Sequence, residues 1–204
     1  MNQYYAVKVG RKPGVYYTWA ECKKQVDKFP NADFKKFDKE KDAISYVNSS
    51  SNISSSQSLG SDELIAYIDG SYFDGVYGAG AVVLTNSGEK HLSLTGDCQE
   101  AATMHNVAGE LLAARSVISY AIENEFKKII IFYDYLGIEK WADGSWRATK
   151  KQTIEYRNFI YNARKKIAIE FQHVKGHSGN KYNDLADKLA KQAVCEYKEQ
   201  AVFV

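Results

Sequence analysis

The sequence predicts an α/β protein in two parts: a small N-terminal α+β module with a three-stranded antiparallel sheet, and a larger body with a mixed five-stranded sheet flanked by helices. Three observations predict it. The body begins with three successive strand-like runs and continues with alternating strands and helices, which favours antiparallel pairing followed by parallel pairing. A serine-rich segment separates the two parts. The 204 residues, 45% of them hydrophobic, suffice for a folded core.

The N-terminal module covers residues 1–47. Pro13-Gly14 favours a turn between its first two strands. Thr18, followed three residues later by Glu21, fits a capping box that begins the first helix. The predicted elements are strands at 4–9, 14–17 and 33–37, and helices at 19–28 and 40–47.

Residues 48–61, which read NSSSNISSSQSLGS, connect the module to the body. Eight of these 14 residues are serine and few of them could anchor a core, so we predict a flexible linker. Random-coil scaling gives the linker an r.m.s. reach of roughly 20 Å. Both parts could therefore bind one ligand, with a raised effective concentration.

The body covers residues 62–204. Runs rich in β-branched and aromatic residues alternate there with longer stretches of helical periodicity. The predicted order is strands at about 64–72, 76–85 and 89–97, a helix at 106–122, a strand at 128–134, short helical pieces to about 165, a strand at 167–174 and a helix at 181–199.

Charge is unevenly distributed between the two parts. Residues 1–47 carry 10 Lys and Arg against 6 Asp and Glu, whereas residues 48–204 carry 17 against 19. Basic modules often contact phosphate backbones, although a merely solvated surface explains the same composition.

The spacing of the cysteines and the hydropathy of the sequence indicate the cellular compartment of the protein. Cys22, Cys98 and Cys195 are far apart and lack CxxC spacing, so neither a zinc site nor a disulfide framework is predicted. No apolar run approaches the roughly 18 residues of a membrane span, and the N-terminus lacks an apolar signal core. We expect a cytoplasmic monomer with reduced thiols and no membrane partner.

Four acids stand out by their positions. Asp69 interrupts the apolar run AYIDGSYF at residues 66–73, and Asp134 ends a second apolar run. Glu110 precedes two leucines on the first long helix, and Asp187 lies beside the apolar stripe of the last helix. Taken singly, each acid has a structural explanation as a turn former, a helix cap or a solvated residue.

Taken together, the four acids indicate a metal site. Carboxylates from four elements cannot cluster cheaply without cations, because burying an unpaired carboxylate is strongly unfavourable. Mg²⁺ prefers such oxygen ligands, and two ions about 4 Å apart can align a water and a leaving oxygen for phosphodiester hydrolysis. Asp184 shares a helix face with Asp187, and the spacing alone does not choose between them.

Two further polar residues lie near Asp187 in the sequence. His177 belongs to the glycine-containing segment VKGHSG, where it could move protons or assist product departure, although a lone histidine is usually a surface residue. Asn183 is expected to cap or precede the last helix, and it could also orient a ligand.

The motifs YIDGS and NVAGEL, the strand-ending Asp134, and VKGHSG followed by NDLADKLA resemble, in this order, those of type-one ribonucleases H. The resemblance covers residues 64 to about 195. It implies a ribonuclease H fold and Mg²⁺-dependent endonucleolytic cleavage of the RNA strand of RNA/DNA hybrids, leaving 3′-hydroxyl and 5′-phosphate ends. Mn²⁺ could take the place of Mg²⁺.

The same resemblance implies roles for individual residues. Asp69 would bridge two metal ions, and Asp187 would hold the ion that activates water. Glu110 and Asp134 would complete the ion on the leaving-group side. Two residues would act on the nucleic acid or on protons rather than on the metal: Asn106, which would read the minor groove, and His177, which would act in proton traffic or product release.

The stretch YYAVKVGRKPGVYYTWAECKKQVDKFPNADFKKF at residues 4–37 resembles the hybrid-binding, or viroplasmin-like, domain that precedes some ribonucleases H. The resemblance implies that Trp19 and Phe34 pack on DNA sugars. It also implies a set of residues that hold a DNA phosphate: Tyr5, Lys35 and Lys36. The residues alone allow another interpretation, in which Trp19 and Phe34 are core residues of the module.

Two other functions compete with hybrid cleavage. The chain could bind hybrids or double-stranded RNA without cutting, but a pure binder has no reason to bury four carboxylates. It could instead be a transposase-like or Holliday-junction nuclease, against which the N-terminal module and the NDLAD segment argue.

His105 and Val107 depart from the family pattern, which has threonine at the first position in many members and Asn or Gln commonly at the second.

Overall fold

The computed structural model describes residues 3–30, 32–48, 59–176 and 180–202. Most of the predicted linker, residues 49–58, and the predicted site residue His177 therefore lie outside the described residues. The chain divides into two compact units, Met1–Ser58 and Leu59–Val204.

The N-terminal unit contains the predicted three-stranded antiparallel sheet, with strand order β2-β1-β3. Thr18 caps the first helix as predicted, because its Oγ1 accepts a hydrogen bond from the backbone nitrogen of Glu21 at 3.3 Å. Val7, Cys22 and Val26 form the buried centre of the unit. The elements are β1 Tyr4–Val9, β2 Gly14–Tyr16, α1 Trp19–Val26, β3 Asp33–Phe37 and α2 Glu40–Asn48.

The larger unit contains the predicted mixed five-stranded sheet, with strand order β6-β5-β4-β7-β8. The first three strands pair antiparallel, and β4-β7 and β7-β8 pair parallel. A four-residue helix after the third strand was not predicted. The elements are β4 Glu63–Phe73, β5 Val76–Thr85, β6 Gly88–Gly96, α3 Gln99–Ala102, α4 Asn106–Glu123, β7 Lys128–Tyr133, α5 Gly137–Ala142, α6 Lys151–Ala163, β8 Ala168–His173 and α7 Lys181–Val202.

Helices cover both faces of this sheet. Because strand side chains alternate between faces, neighbouring residues of β4 enter different cores. Ile68 belongs to the larger core with Leu111 of α4, whereas Tyr67 packs in a smaller core with Ala186 of α7. The middle of β4 is therefore buried on both faces, which explains its unbroken apolar run. None of the helices among the described residues is long and apolar enough to cross a membrane.

The position of α7 depends on a close approach to β5. A Cβ added at Gly80 would lie 2.0 Å from the carbonyl oxygen of Ala186. Gly80 is also the antiparallel partner of Asp69 on β4. The missing side chain thus lets the backbone of α7 lie directly over the part of the sheet that carries Asp69.

We expect Gly80→Ala to lower the free energy of unfolding by at least about 1–3 kcal/mol, the usual effect of overpacking a filled core. Urea denaturation followed by far-UV circular dichroism measures this. Gly60→Ala is the matched control, because its added Cβ would first meet the flexible side chain of Glu63 at 3.3 Å. An unchanged midpoint for Gly80→Ala would contradict the close-approach argument.

Candidate active site

Three of the four predicted acids converge where β7 ends beside the interior of β4. Asp69 lies on β4, Glu110 on α4, and Asp134 directly after β7. Each offers a carboxylate oxygen, and the three oxygens lie within 4.8 Å of one another. The parallel pairing of Tyr67 with Phe132 explains why Asp69 and Asp134 lie close together, since each follows two residues after its paired residue.

Glu110 reaches the strand ends because α4 lies directly against β4. A Cβ added at Gly70 would lie 2.2 Å from the carbonyl oxygen of Asn106 and 2.4 Å from the backbone nitrogen of Glu110. Only glycine allows this contact. The backbone nitrogen of Gly70 also donates a 2.7 Å hydrogen bond to Oδ1 of Asp69, which fixes that carboxylate.

Two members of the cluster are buried, and no lysine, arginine or histidine among the described residues forms an ion pair with any of the three carboxylates. Asp69 is 8% exposed and Glu110 1% exposed. Burial, followed by the charges of Asp69 and Asp134, raises the pKa of Glu110 well above its ordinary value. Burial, followed by the charge of Asp134, likewise raises the pKa of Asp69.

One oxygen of the cluster has no protein partner. Oε2 of Glu110 is buried without a hydrogen bond. An orphaned buried oxygen among crowded carboxylates suits a hard divalent cation, which takes oxygen ligands and supplies the missing charge. The residues present therefore fit a divalent metal ion.

Asp187 lies near this cluster but is not one of the three grouped acids. Its charge is among those that raise the pKa of Asp69, which places it within electrostatic reach and favours it over Asp184. Its Oδ2 accepts a 2.8 Å hydrogen bond from Nζ of Lys191, one helical turn away. That hydrogen bond is the first cause of a raised pKa at Lys191.

Sequence reasoning missed Lys191, although a signal was present. A lysine four residues after an aspartate on a helix is the spacing of an ion pair. Lys191 lies four residues after Asp187 and therefore on the same face of the helix.

The prediction that Asn183 caps or precedes the last helix is wrong, because α7 begins at Lys181. Oδ1 of Asn180 accepts hydrogen bonds from the backbone nitrogens of Tyr182 and Asn183, at 3.1 and 3.3 Å. Asn180 is therefore the capping residue, and Asn183 is buried in the first turn. Two asparagines three residues apart offer the same local signal, and the hydrogen bonds accepted by Asn180 identify it as the cap.

Asn106, predicted to contact nucleic acid, is exposed at the start of α4. It lies one turn before Glu110, so the two residues share a helix face. The preceding His105 has φ of 53°, a region that β-carbon-bearing residues seldom adopt, and its ring lies 4.6 Å from that of Tyr72. The tilted ring contact with Tyr72 helps to hold His105 in this conformation.

A cavity of about 310 Å³ opens beside the start of α4. Its lining combines aromatic and basic side chains, among them Tyr135, Trp141, Arg147 and Lys150. Tyr135 directly follows Asp134, and its pKa is raised first by burial and then by the charge of Glu110, so this lining residue is within electrostatic reach of the carboxylate cluster. The sequence showed a few basic residues here but not that they line a cavity.

In the N-terminal unit, three aromatic rings form a continuous row. Trp19 lies between Tyr5 and Phe34, with centroid distances of 5.7 Å to each. Trp19 is 46% exposed and Phe34 41% exposed. The interpretation of these two residues as core is therefore wrong, and their rings are available at the surface.

The structure divides the predicted phosphate-binding residues between two faces. Lys36 pairs with Tyr5 across β1 and β3, so it lies on the face of the aromatic row. Lys35 pairs with Ala6 and lies on the opposite face, where its Nζ is 5.7 Å from the ring of Phe37.

Comparison with known proteins matches both parts of the chain. The family described as RNase H matches residues 61–195, and the family described as Ribonuclease H1 N-terminal domain matches residues 3–47. Ribonuclease H1 of Rattus norvegicus is 27% identical over 94% of this chain and 89% of its own length. Ribonuclease H of Bartonella quintana is 31% identical over 63% of this chain and 86% of its own length.

Solved structures share the fold of the larger unit. RNase H1 from Halobacterium salinarum has a TM-score of 0.53 at 20% identity, covering 66% of this chain and 98% of its own. LC11-RNase H1, solved in complex with an RNA/DNA hybrid, has a TM-score of 0.51 at 14% identity, covering 64% and 99%. At these identities the likeness establishes the fold.

We expect Glu110→Gln to stabilise the metal-free protein. The folded pKa of Glu110 lies above its unfolded value of about 4.3, so the native state binds the proton more tightly. Wild-type stability therefore falls as pH rises from the unfolded pKa through the raised folded pKa, and the glutamine variant lacks this loss. In EDTA at pH 8 the variant should gain about 1–3 kcal/mol, and less at pH 5.

Urea denaturation at both pH values tests this expectation. Glu123→Gln, at the exposed end of the same helix, is the control. A gain for Glu110→Gln that stays constant or shrinks with rising pH would refute the buried-charge explanation.

Proposed function

The chain belongs to the ribonuclease H family, and from that membership we propose that it cleaves the RNA strand of RNA/DNA hybrids endonucleolytically, leaving 3′-hydroxyl and 5′-phosphate ends. The observation that carries the proposal is the convergence of Asp69, Glu110 and Asp134 from three elements, with their oxygens within 4.8 Å. A cluster of uncompensated carboxylates is unfavourable for the fold and therefore requires a functional explanation.

We propose that Asp69, Glu110, Asp134 and Asp187 bind two Mg²⁺ ions, which Mn²⁺ could replace. The donor set consists of oxygens alone, as a hard cation prefers, and it includes the orphaned Oε2 of Glu110. When bound, such ions activate water and stabilise charge on the phosphate and on the leaving oxygen. Asp69 would contribute to both ions, Glu110 and Asp134 to one, and Asp187 to the other.

The chain supplies rigidity to this site. The hydrogen bond from Gly70 orients Asp69, and the contact of α4 with β4 fixes Glu110. Asp134 is only half-buried, so the cluster is open to a substrate phosphate on that side. We assign proton traffic or product release to His177 on the resemblance of its motif alone.

Substrate recognition would involve both units. Asn106 shares a helix face with Glu110, where it could read the minor groove of a hybrid next to the reacting phosphate. In the N-terminal unit, the exposed rings of Trp19 and Phe34 suit sugar packing, and Lys36 with Tyr5 suits a phosphate. Recognition of sugars and phosphates, rather than base edges, fits a nuclease without sequence preference.

Cleavage of an end-labelled RNA strand annealed to DNA tests the proposal. We expect wild-type protein in Mg²⁺ to cut the hybrid and to leave duplex RNA and duplex DNA intact. Asp134→Asn and Asp187→Asn should lose at least about 100-fold in rate, because each removes a metal ligand. Asp184→Asn is the matched control and should retain activity.

Two results would contradict the proposal. Hybrid that is bound but not cut, in either Mg²⁺ or Mn²⁺, would favour a binding protein. Loss of activity in Asp184→Asn with retention in Asp187→Asn would move the fourth ligand to Asp184.

Hybrid affinity tests the role of the N-terminal face. We expect Lys36→Ala to weaken binding by about 3–10-fold and to reduce the salt dependence by about one released counterion, since one phosphate contact is lost. Lys35→Ala, from the opposite face, should change binding less. Fluorescence anisotropy with full-length protein carrying Asp134→Asn measures both. Equal losses in the two variants would show that the face assignment does not govern binding.

A further inference from the structure

We infer that Lys191 is an internal counter-cation that occupies Asp187 in the metal-free protein and is displaced when Asp187 takes a divalent ion. The inference rests on the proposed function, which makes Asp187 a metal ligand. Its basis is the 2.8 Å contact of Lys191 Nζ with Asp187 Oδ2, beside a cluster that has no such cation of its own in the described structure.

The two partners differ in freedom of movement. Asp187 follows Ala186, which is fully buried and lies against β5 at Gly80. Its side chain is 20% exposed, whereas that of Lys191 is 60% exposed. The carboxylate is thus held by the fold, while the ammonium ends a long flexible chain that can move into solvent. Exchange of one cation for another at Asp187 therefore requires no movement of the backbone.

In the metal-free protein, the charge of Lys191 reduces the repulsion between Asp187 and Asp69. Asp187 and Asp69 repel each other, as the effect of Asp187 on the Asp69 pKa indicates. A single positive charge on Asp187 offsets part of this repulsion. A divalent ion offers twice the charge and would compete with the ammonium for Oδ2. Lys191 would therefore stabilise the metal-free protein and raise the metal concentration that the Asp187 side of the site requires.

The arrangement separates the four acids into two classes. Asp69, Glu110 and Asp134 offer their oxygens without a competing lysine contact in the described structure. Asp187, in contrast, is in contact with Lys191. Ion binding at the three-carboxylate cluster should consequently precede ion binding at Asp187.

Mn²⁺ binding to substrate-free, full-length protein tests the inference. Electron paramagnetic resonance counts free Mn²⁺ during a titration. We expect Lys191→Met and Lys191→Gln to tighten the weaker site by about fivefold, the fold-change that corresponds to about 1 kcal/mol for unit charges 4 Å apart in water. Lys191→Arg, which keeps the charge, should bind as wild type does.

Lys188→Met is the matched control. Lys188 lies on the same helix next to Asp187 and is exposed, so its replacement removes the same charge without removing the contact. Thermal unfolding gives a second readout: in EDTA, Lys191→Met should melt below wild type, and Mn²⁺ should raise its melting temperature by more.

Four outcomes of these measurements decide whether the inference holds. Tightening confined to Lys191→Met and Lys191→Gln supports displacement. Unchanged or weaker binding in these variants overturns it, as does equal tightening in Lys188→Met. A weaker site that persists unchanged in Asp187→Asn overturns both this inference and the proposed assignment of Asp187 as a ligand.

Discussion

Repulsion among the carboxylates of Asp69 in β4, Glu110 in α4 and Asp134 after β7 is the constraint on which the rest of the larger unit depends. Asp69, Glu110 and Asp134 are held within 4.8 Å although each would be more stable apart in water. Side chains on flexible loops would separate under this repulsion. The fold prevents separation by placing two of the acids on neighbouring parallel strands and the third on a helix whose backbone touches the sheet. The rigid contact between the helix and the sheet therefore holds the carboxylate site together, although the repulsion lowers the stability of the fold.

Close backbone contact on both faces of β4 and β5 provides that rigidity. On one face α4 meets Gly70, and on the other α7 meets Gly80. The two helices carry Glu110 and Asp187, so each close contact fixes one acid relative to Asp69. A larger residue at either glycine would move a helix axis, and with it a carboxylate. The stability gained from packing the two cores is thus used to hold groups that repel each other.

The sequence allowed prediction of those features that depend on local pattern. Strand pairing followed from the order of apolar runs, and the carboxylate cluster from acids that interrupt such runs. What could not be predicted depends on distance in space. The face occupied by Lys35 depends on strand register, in which a shift of one residue exchanges the faces. The roles of Asn180 and Asn183 depend on which side chain accepts the backbone hydrogen bonds of the first helical turn.

The proposed chemistry also explains why two units are combined. A cluster of carboxylates repels the phosphate backbone that it is proposed to cut, so the site itself contributes little binding in the absence of metal. Affinity for the nucleic acid must therefore come from protein surfaces that are positively charged or uncharged. The N-terminal module has more basic than acidic residues and presents an exposed row of aromatic rings, whereas residues 48–204 carry more acids than bases. On this proposal, one unit would bind the nucleic acid and the other would cut it, and a connection between them would raise the effective concentration of each unit on one nucleic acid.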